Sequence, residues 1–387
     1  MIALSTSAGT AWPCDNSMNI FAETNVRAVQ PENRLLTTKG TEMQKADAIS
    51  VNVFRATKPD FPFQAFLENP SGQFRFSMVD DAHYKPCDVA VFFGSFGLTS
   101  TSVHAFRTAI AAQHKGPLLT VETGFWGRET IKRSFNWYHN LLGHRRAFYK
   151  FRHSFYRIAL DGSLPGDADF CNTNSPPDRW EKQSAALNIR LKPYRSAGEH
   201  VVIIGQIPGD AAMRGMDVCQ WLGATARSVR RLTDRPIVVR PHPGMKNEDF
   251  ATLQVELATV PNLRISDLGS LSTVDELERA HCTICYSSSF SLDSLLAGVP
   301  VITLSRFNIA APICSRRIED VAEPPLPERE QLFYNIAYAH WTPEEIRSGE
   351  VWARFAPILA RRCIGGSRPS RSHAANSLLS GFQLQGL

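Results

Sequence analysis

From His200 to Leu304 the chain alternates short apolar runs with amphipathic stretches, a pattern that restricts it to a parallel sheet wrapped by helices. The spacing predicts strands at His200–Ile204, Pro236–Arg240, Asn262–Ile265, Thr283–Tyr286 and Val299–Leu304. Between them it predicts helices at Met216–Leu232, Glu248–Thr259, Val274–Ala280 and Ser291–Ala297. Several of these segments, Val201–Ile204 above all, are short apolar runs rather than alternating ones, as expected where both faces of a sheet are covered. Such a doubly wound domain binds ligands beyond the carboxyl ends of its strands.

The first half carries a second set of this kind, with strands expected at Ile49–Phe54, Val89–Phe93 and Leu118–Val121 and a helix at Val103–Gln113. A chain of 387 residues is too long for one ordinary core of about 150 residues, so two α/β domains are expected. The expected plan is a disordered extension over 1–46, a Rossmann-like N-terminal domain over 47–195 and a Rossmann-like C-terminal domain over 196–330. C-terminal helices over 331–362 should pack across both domains, and 363–387 reads as a disordered tail. Met43 directly precedes the first folded pattern and offers an alternative start. Pro193, Ser196 and Gly198 break both periods near the junction, which falls at Lys192–Glu199. Glu330–Ile358 reads as helical, its aromatic stripe of Phe333, Tyr334, Tyr338, Trp341, Trp352 and Phe355 serving core packing.

No apolar run approaches the ~18–20 residues that a membrane helix needs. The first 25 residues hold no Lys or Arg, so a secretory leader is not indicated and a cytoplasmic location is expected, with peripheral membrane contact left open. The formal net charge of +5 suits an anionic partner without demanding one. The eight cysteines are irregularly spaced, and Cys282-Thr-Ile-Cys285 lies inside a strand pattern, so buried thiols are expected there rather than a redox or zinc motif.

Three loops carry candidate chemistry. Arg240-Pro-His-Pro-Gly244 follows a strand and precedes a helix; its prolines restrict the backbone around His242, and Arg240 adds a fork suited to a phosphate. Ser287-Ser-Ser-Phe-Ser291 opens a helix, where hydroxyls and unpaired N–H groups can hold an anion, although one serine can equally be a plain N-cap. Gly205-Gln-Ile-Pro-Gly-Asp210 follows the first strand of the second half; Gly205 permits close backbone approach, and Gln206 and Asp210 can contact a base or sugar.

The run Arg240-Pro-His-Pro-Gly244 together with Ser287 to Leu304 resembles GT-B glycosyltransferases of the capsular-polysaccharide Kdo-transferase and bacterial sialyltransferase kind, over roughly Val201–Leu304. It is also similar to phage-encoded glycosyltransferase-like proteins. The resemblance implies two Rossmann-like domains facing a cleft and a CMP- or UDP-sugar as co-substrate, with no other cofactor. It implies that His242 and Pro243 meet the nucleotide phosphate, that Ser287, Ser288 and Ser289 hold the same phosphate, and that Asp293 is the acidic residue near it. Such enzymes generally work without a catalytic metal, and Asp80-Asp81 lacks DxD spacing.

An inverting sugar transfer needs a general base, normally on the N-terminal domain, for which Glu122 is the first candidate and Asp81 the second. Residues Phe125 to Arg157 mix cations, among them Arg128, Lys132, Arg133, Arg145 and Arg146, with aromatics. That mixture suits a nucleic-acid groove, a surface helix on anionic lipid, or a solvated basic helix with an aromatic core face. The expected function is sugar transfer to a hydroxyl on an anionic polymer, either a surface glycan or hydroxymethylated pyrimidines of phage DNA. A non-hydrolysing sugar-nucleotide epimerase and an inactive DNA- or glycan-binding module are the alternatives.

Overall fold

The computed structural model describes residues 48–55, 67, 73–80, 83–96, 102–134, 148–195, 197–266 and 274–364. The expected extension over 1–46, the tail beyond 364, Asp81, Arg145 and Arg146 lie outside the described residues. The fold belongs to the unit Asp47–Leu387.

The first sheet contains β1 (Ile49–Phe54), β2 (Phe74–Val79), β3 (Val89–Phe93) and β4 (Leu118–Thr123), all parallel, in the order β4-β3-β1-β2. Helix α1 (Ser102–Gln113) links β3 to β4. After β4 the chain forms a separate ribbon, β5 (Arg128–Ser134) against β6 (Phe148–His153), and then β7 (Tyr156–Leu160) returns antiparallel to β4. The helical expectation for Phe125–Arg157 is therefore corrected: antiparallel pairing, Arg128 opposite His153 and Ser134 opposite Phe148, supplies its backbone with partners. Trp126 is taken up internally, 4.4 Å from His340 and 5.5 Å from Trp180 between ring centroids, with its Nε1 donating to Gln183 Oε1.

Helix α2 (Asp178–Leu187) leads to the second sheet, formed by β8 (His200–Ile204), β9 (Ile237–Arg240), β10 (Leu263–Ile265), β11 (Ala280–Cys285) and β12 (Val301–Thr303). All five strands are parallel, in the order β10-β9-β8-β11-β12. The crossovers are α3 (Val218–Leu232), α4 (Asn247–Leu257), α5 (Val274–Glu278) and α6 (Phe290–Leu296). Asp217 caps α3 by accepting from Gln220 N at 2.9 Å. In β8, Val201 and Ile203 enter the core beneath α3 and α4, while Val202 and Ile204 enter the opposite core with Trp180 and Phe333. Burial on both faces is why Val201–Ile204 of β8 reads as an unbroken apolar run. Cys282 and Cys285 are buried in β11, where desolvation pushes the Cys282 thiol up to about 12.

The C-terminal segment, expected as one helical stretch, is interrupted: α7 (Glu330–Ala339), β13 (His340–Trp341), α8 (Pro343–Arg347) and α9 (Glu350–Ile364) follow one another. Strand β13 pairs antiparallel with β7 at the edge of the first sheet. Thr342 and Glu345 form a capping box that starts α8 immediately afterwards, which turns the chain. Trp352, Phe355 and Leu359 of α9 are fully buried against Val51, Val91 and Val121. Each such side chain contributes ~1.5–3 kcal/mol by leaving water. The segment Lys192–Arg195 is tied to the second half by Lys192 N donating to Leu296 O and Arg195 N to Gly298 O. Gly298 has φ +76, and a Cβ there would collide with the Pro193 carbonyl, which accounts for a glycine at the close of α6.

The fold is thus α/β and GT-B: two Rossmann-like sheets, the second fully parallel and the first extended at one edge by β7, which runs against β4, and by β13, which runs against β7, with a cleft between them. No helix among the described residues is long and apolar enough to cross a membrane.

Candidate functional site at the interdomain cleft

In the second sheet the chain order reverses between β8 and β11, the point at which neighbouring loops diverge and leave a crevice. The loops after these two strands are Gly205–Asp210 and Tyr286–Ser289, and they are joined directly. Gln206 Oε1 accepts from both the N–H and the hydroxyl of Ser287 at 3.1 Å, and Ser287 Oγ also lies 2.8 Å from Ala212 O. Gln206 is buried, so its oxygen is satisfied by this contact and its Nε2 is the group left over.

A cavity of about 230 Å³ opens here between the two sheets. One wall holds Gln206, Asp210, His242, Ser287, Ser288 and Ser289; the other holds Ser95, Glu122, Thr123, Arg128 and Arg157. The structure thus brings together in one cleft the imidazole between two prolines, the serine loop and the carboxylate at the end of β4, residues up to 167 positions apart in the chain (Glu122 to Ser289).

His242 is half-buried, and Gly244 N donates to its Nδ1 at 2.9 Å. Burial pushes its pKa down to about 4; Asp210 opposes the shift, and Arg128 and Arg240 reinforce it. The ring is therefore neutral at physiological pH. With Nδ1 accepting, the proton resides on Nε2, which makes His242 a hydrogen-bond donor.

Ser288 and Ser289 differ from Ser287. Their backbone N–H groups make no hydrogen bond among the described residues, and Ser289 is exposed. Ser288 Oγ accepts from Phe290 N at 3.3 Å, leaving its own proton free to donate. Ser291, expected at the start of the helix, points inward instead and bonds Asn308 Oδ1 at 2.8 Å. Helix α6 begins at Phe290 and runs 7 residues, so the donors toward the cleft belong to the loop rather than to a long helix dipole.

The remaining residues singled out from the sequence take supporting positions. Arg240 is buried behind the cleft, 5.7 Å over the ring of Phe290, and desolvation lowers its pKa. Pro243 is half-buried and does not line the cavity. Gly205 packs against Arg240 O, where a Cβ would approach to 3.2 Å. Asp210 Oδ1 accepts from Ala212 N at 2.8 Å and so caps a short 3-10 turn, Ala211–Met213. Asp293 retains exposed surface but is crowded by protein; desolvation raises it to about 6 against the pull of Arg240 and Arg128. Arg128 lines the cleft, whereas Lys132 and Arg133 lie further along β5.

Glu122 sits opposite Arg157 in the β4–β7 register, with Arg157 Nη2 3.7 Å from its Oε2. Arg157 also donates to Thr123 O at 2.9 Å and lies 4.4 Å over the ring of Phe125. Arg107 of α1 acts electrostatically on the same carboxylate. Sequence reading missed Arg107 and counted Arg157 only among the cations of the basic segment Phe125–Arg157, because the strand pattern of β7 that sets it opposite Glu122 was not recognised.

Among solved structures the chain is similar to two described as Thermosulfurimonas dismutans KpsC. The first, a beta Kdo 2,7 transferase, shares 13% identity with 79% of this chain and 99% of that one covered, at a TM-score of 0.42. The second, a beta Kdo 2,4 transferase, shares 17% identity with 75% and 90% covered, at 0.45. It is also similar to the UDP-GlcNAc 2-epimerase of Methanocaldococcus jannaschii in complex with UDP-GlcNAc and UDP, at 12% identity with 80% and 100% covered and a TM-score of 0.31. No protein-family model and no curated protein matches the chain.

Proposed function

We propose that the chain is a glycosyltransferase that moves a sugar from a CMP- or UDP-sugar to a hydroxyl of an anionic, capsule-type surface glycan. The observation that carries this reading is the shared cleft: donors from His242 and the serine loop on one wall, the Glu122 carboxylate on the other.

In this reading His242 Nε2–H, the N–H groups of Ser288 and Ser289 and the amide of Gln206 converge on the phosphate next to the sugar. Arg240 supplies positive potential from behind. These groups are fixed before the reaction, so they stabilise charge as it develops on the leaving nucleotide. The acceptor hydroxyl enters from the Glu122 side. As its oxygen bonds to the anomeric carbon, its proton passes to Glu122, and the bond from that carbon to the phosphate oxygen breaks with its electron pair leaving on the nucleotide. Arg157 orients the Glu122 carboxylate, and Arg128 adds a second cation on the same wall. The leaving charge is met by these donors without a metal in the proposed step.

The test is to incubate the purified chain with CMP-, UDP- and GDP-sugars and either capsule oligosaccharide or hydroxymethylated DNA, and to read mass gain on the acceptor. Transfer to the oligosaccharide that disappears in His242→Ala is the expected result. Gain on DNA alone would replace the acceptor class, and an epimeric nucleotide-sugar formed without any acceptor would replace the reaction.

A further inference from the structure

Beside the cleft, and sharing Pro165 and Ile309 with it, lies a second cavity of about 480 Å³. It is built from three segments: the loop after β7, the loop after β12, and α7. Its lining contains Arg306 and Arg316 and no carboxylate. Neither guanidinium pairs with an acidic side chain among the described residues, and both are exposed. Arg306 lies 4.6 Å over the ring of Phe307, which limits the space it sweeps.

Of the four carboxamides in the same lining, Asn308 is taken up by Ser291 and by backbone carbonyls, and the other three are oriented by the protein. Asn335 Oδ1 accepts from Ser175 N and from Gln331 Nε2, each at 3.0 Å. Gln331 Nε2 also donates to Ser175 O at 2.9 Å, and Asn172 Nδ2 donates to Asn335 O at 2.6 Å. The groups left over are one amide donor, Asn335 Nδ2, and two acceptors, Gln331 Oε1 and Asn172 Oδ1. Phe170 and Leu332 add buried apolar surface. Fixed amide donors and acceptors beside apolar surface fit a ring that has hydroxyls at its rim and C–H bonds on its face. Two cations with no opposing carboxylate fit a ring that also carries an anionic substituent.

We propose that this cavity is an acceptor subsite that takes an acidic sugar residue, with Arg306 and Arg316 on the carboxylate and Asn172, Gln331 and Asn335 on the hydroxyls. The word acceptor rests on the transfer reaction proposed above; the acidic-sugar site does not. Gly166, at φ +82 where a Cβ would come within 2.8 Å of Arg306 O, lets the loop after β7 run close to the loop after β12, so the subsite and the cleft stay adjacent.

Binding is measured by calorimetry on the full chain with two probes, an oligosaccharide that alternates hexuronate with a neutral sugar and its carboxyl-reduced counterpart. Nucleotide affinity is read separately with CMP and UDP. The acidic probe should bind at least tenfold more tightly than the reduced one. Arg306→Ala and Arg316→Ala should each abolish that preference with the melting temperature unchanged, whereas Asn335→Ala should weaken both probes alike and lower the melting temperature because it strands the Ser175 N–H; all three should leave nucleotide affinity within about twofold. Equal binding of the two probes, or loss of nucleotide affinity in Asn335→Ala with the acidic probe unaffected, would overturn the assignment, the latter by making the cavity a nucleobase site. If neither nucleotide binds while the acidic preference and its loss in the arginine variants persist, the transfer reaction fails and the acidic-sugar site stands.

Discussion

Gln206 and Ser287, 81 residues apart, clamp the two loops at the switch point of the second sheet through one carboxamide oxygen. Because both strand ends stop at this contact, the clamp fixes the distance between the loop that carries Asp210 and the loop that carries Ser288 and Ser289. Gln206→Ala should strand the Ser287 N–H, a cost of about 1–3 kcal/mol for an unsatisfied buried group. The expected outcome is nucleotide-sugar affinity reduced on the order of tenfold or more, measured by calorimetry, with the fold retained by circular dichroism.

His242 is expected to act as a neutral donor. His242→Ala should lower kcat/KM by about 10²–10³, the usual loss when one preorganised donor is removed. With its folded pKa held at about 4, below the ordinary 6.5, the ring keeps its donor tautomer as pH falls from 7 to 5. Heteronuclear NMR should show Nε2 protonated and no titration of this ring near pH 6.5. The unfolded chain binds the proton that the folded ring refuses, so this residue's contribution to stability is present above pH 6.5 and declines as pH falls toward 4. A midpoint near 6.5 would contradict the donor role.

Glu122→Gln should reduce kcat by about 10²–10⁴, the range for loss of a general base, while donor affinity stays unchanged. Arg157→Lys preserves charge but not the contact geometry with Thr123 and Glu122, and a smaller kcat loss is expected there. Steady-state kinetics with acceptor varied at saturating donor separates the two. Equal kcat in Glu122→Gln and wild type would remove Glu122 from catalysis.

Trp352 is 2% exposed in the core beneath the first sheet, its ring 4.7 Å from Phe76 and 5.5 Å from Phe74. Trp352→Ala should destabilise the protein by about 3–5 kcal/mol, read as a lower urea midpoint. Its effect should be greater than that of Val255→Ala, which alters a side chain 75% exposed on α4.

The second sheet was readable from the chain because β8, β9, β11 and β12 are buried on both faces and α3 pairs a buried face with an exposed one. Burial of that kind writes its period directly into the residue order. The loops that end its strands could be singled out for the same reason, since a ligand crevice sits beyond the carboxyl ends of parallel strands. Strands β2, β5, β6 and β7 were not recognised. The one-sided burial of β2 gives a weaker pattern, and the pairing of β5 with β6 joins residues across a long connection.

By itself the sequence determined the fold class and the second sheet and singled out the His242 and Ser287–Ser289 loops as strand-end candidates, because periodic burial and strand-end position are local properties of the residue order. Only the tertiary structure decided which of those groups are free to act. It satisfied Ser287 through Gln206, turned Ser291 inward to Asn308, set the His242 tautomer through Gly244 N and set Arg157 against Glu122. Whether a polar atom is available depends on which partner reaches it first, and that is settled by contacts between segments distant in the chain.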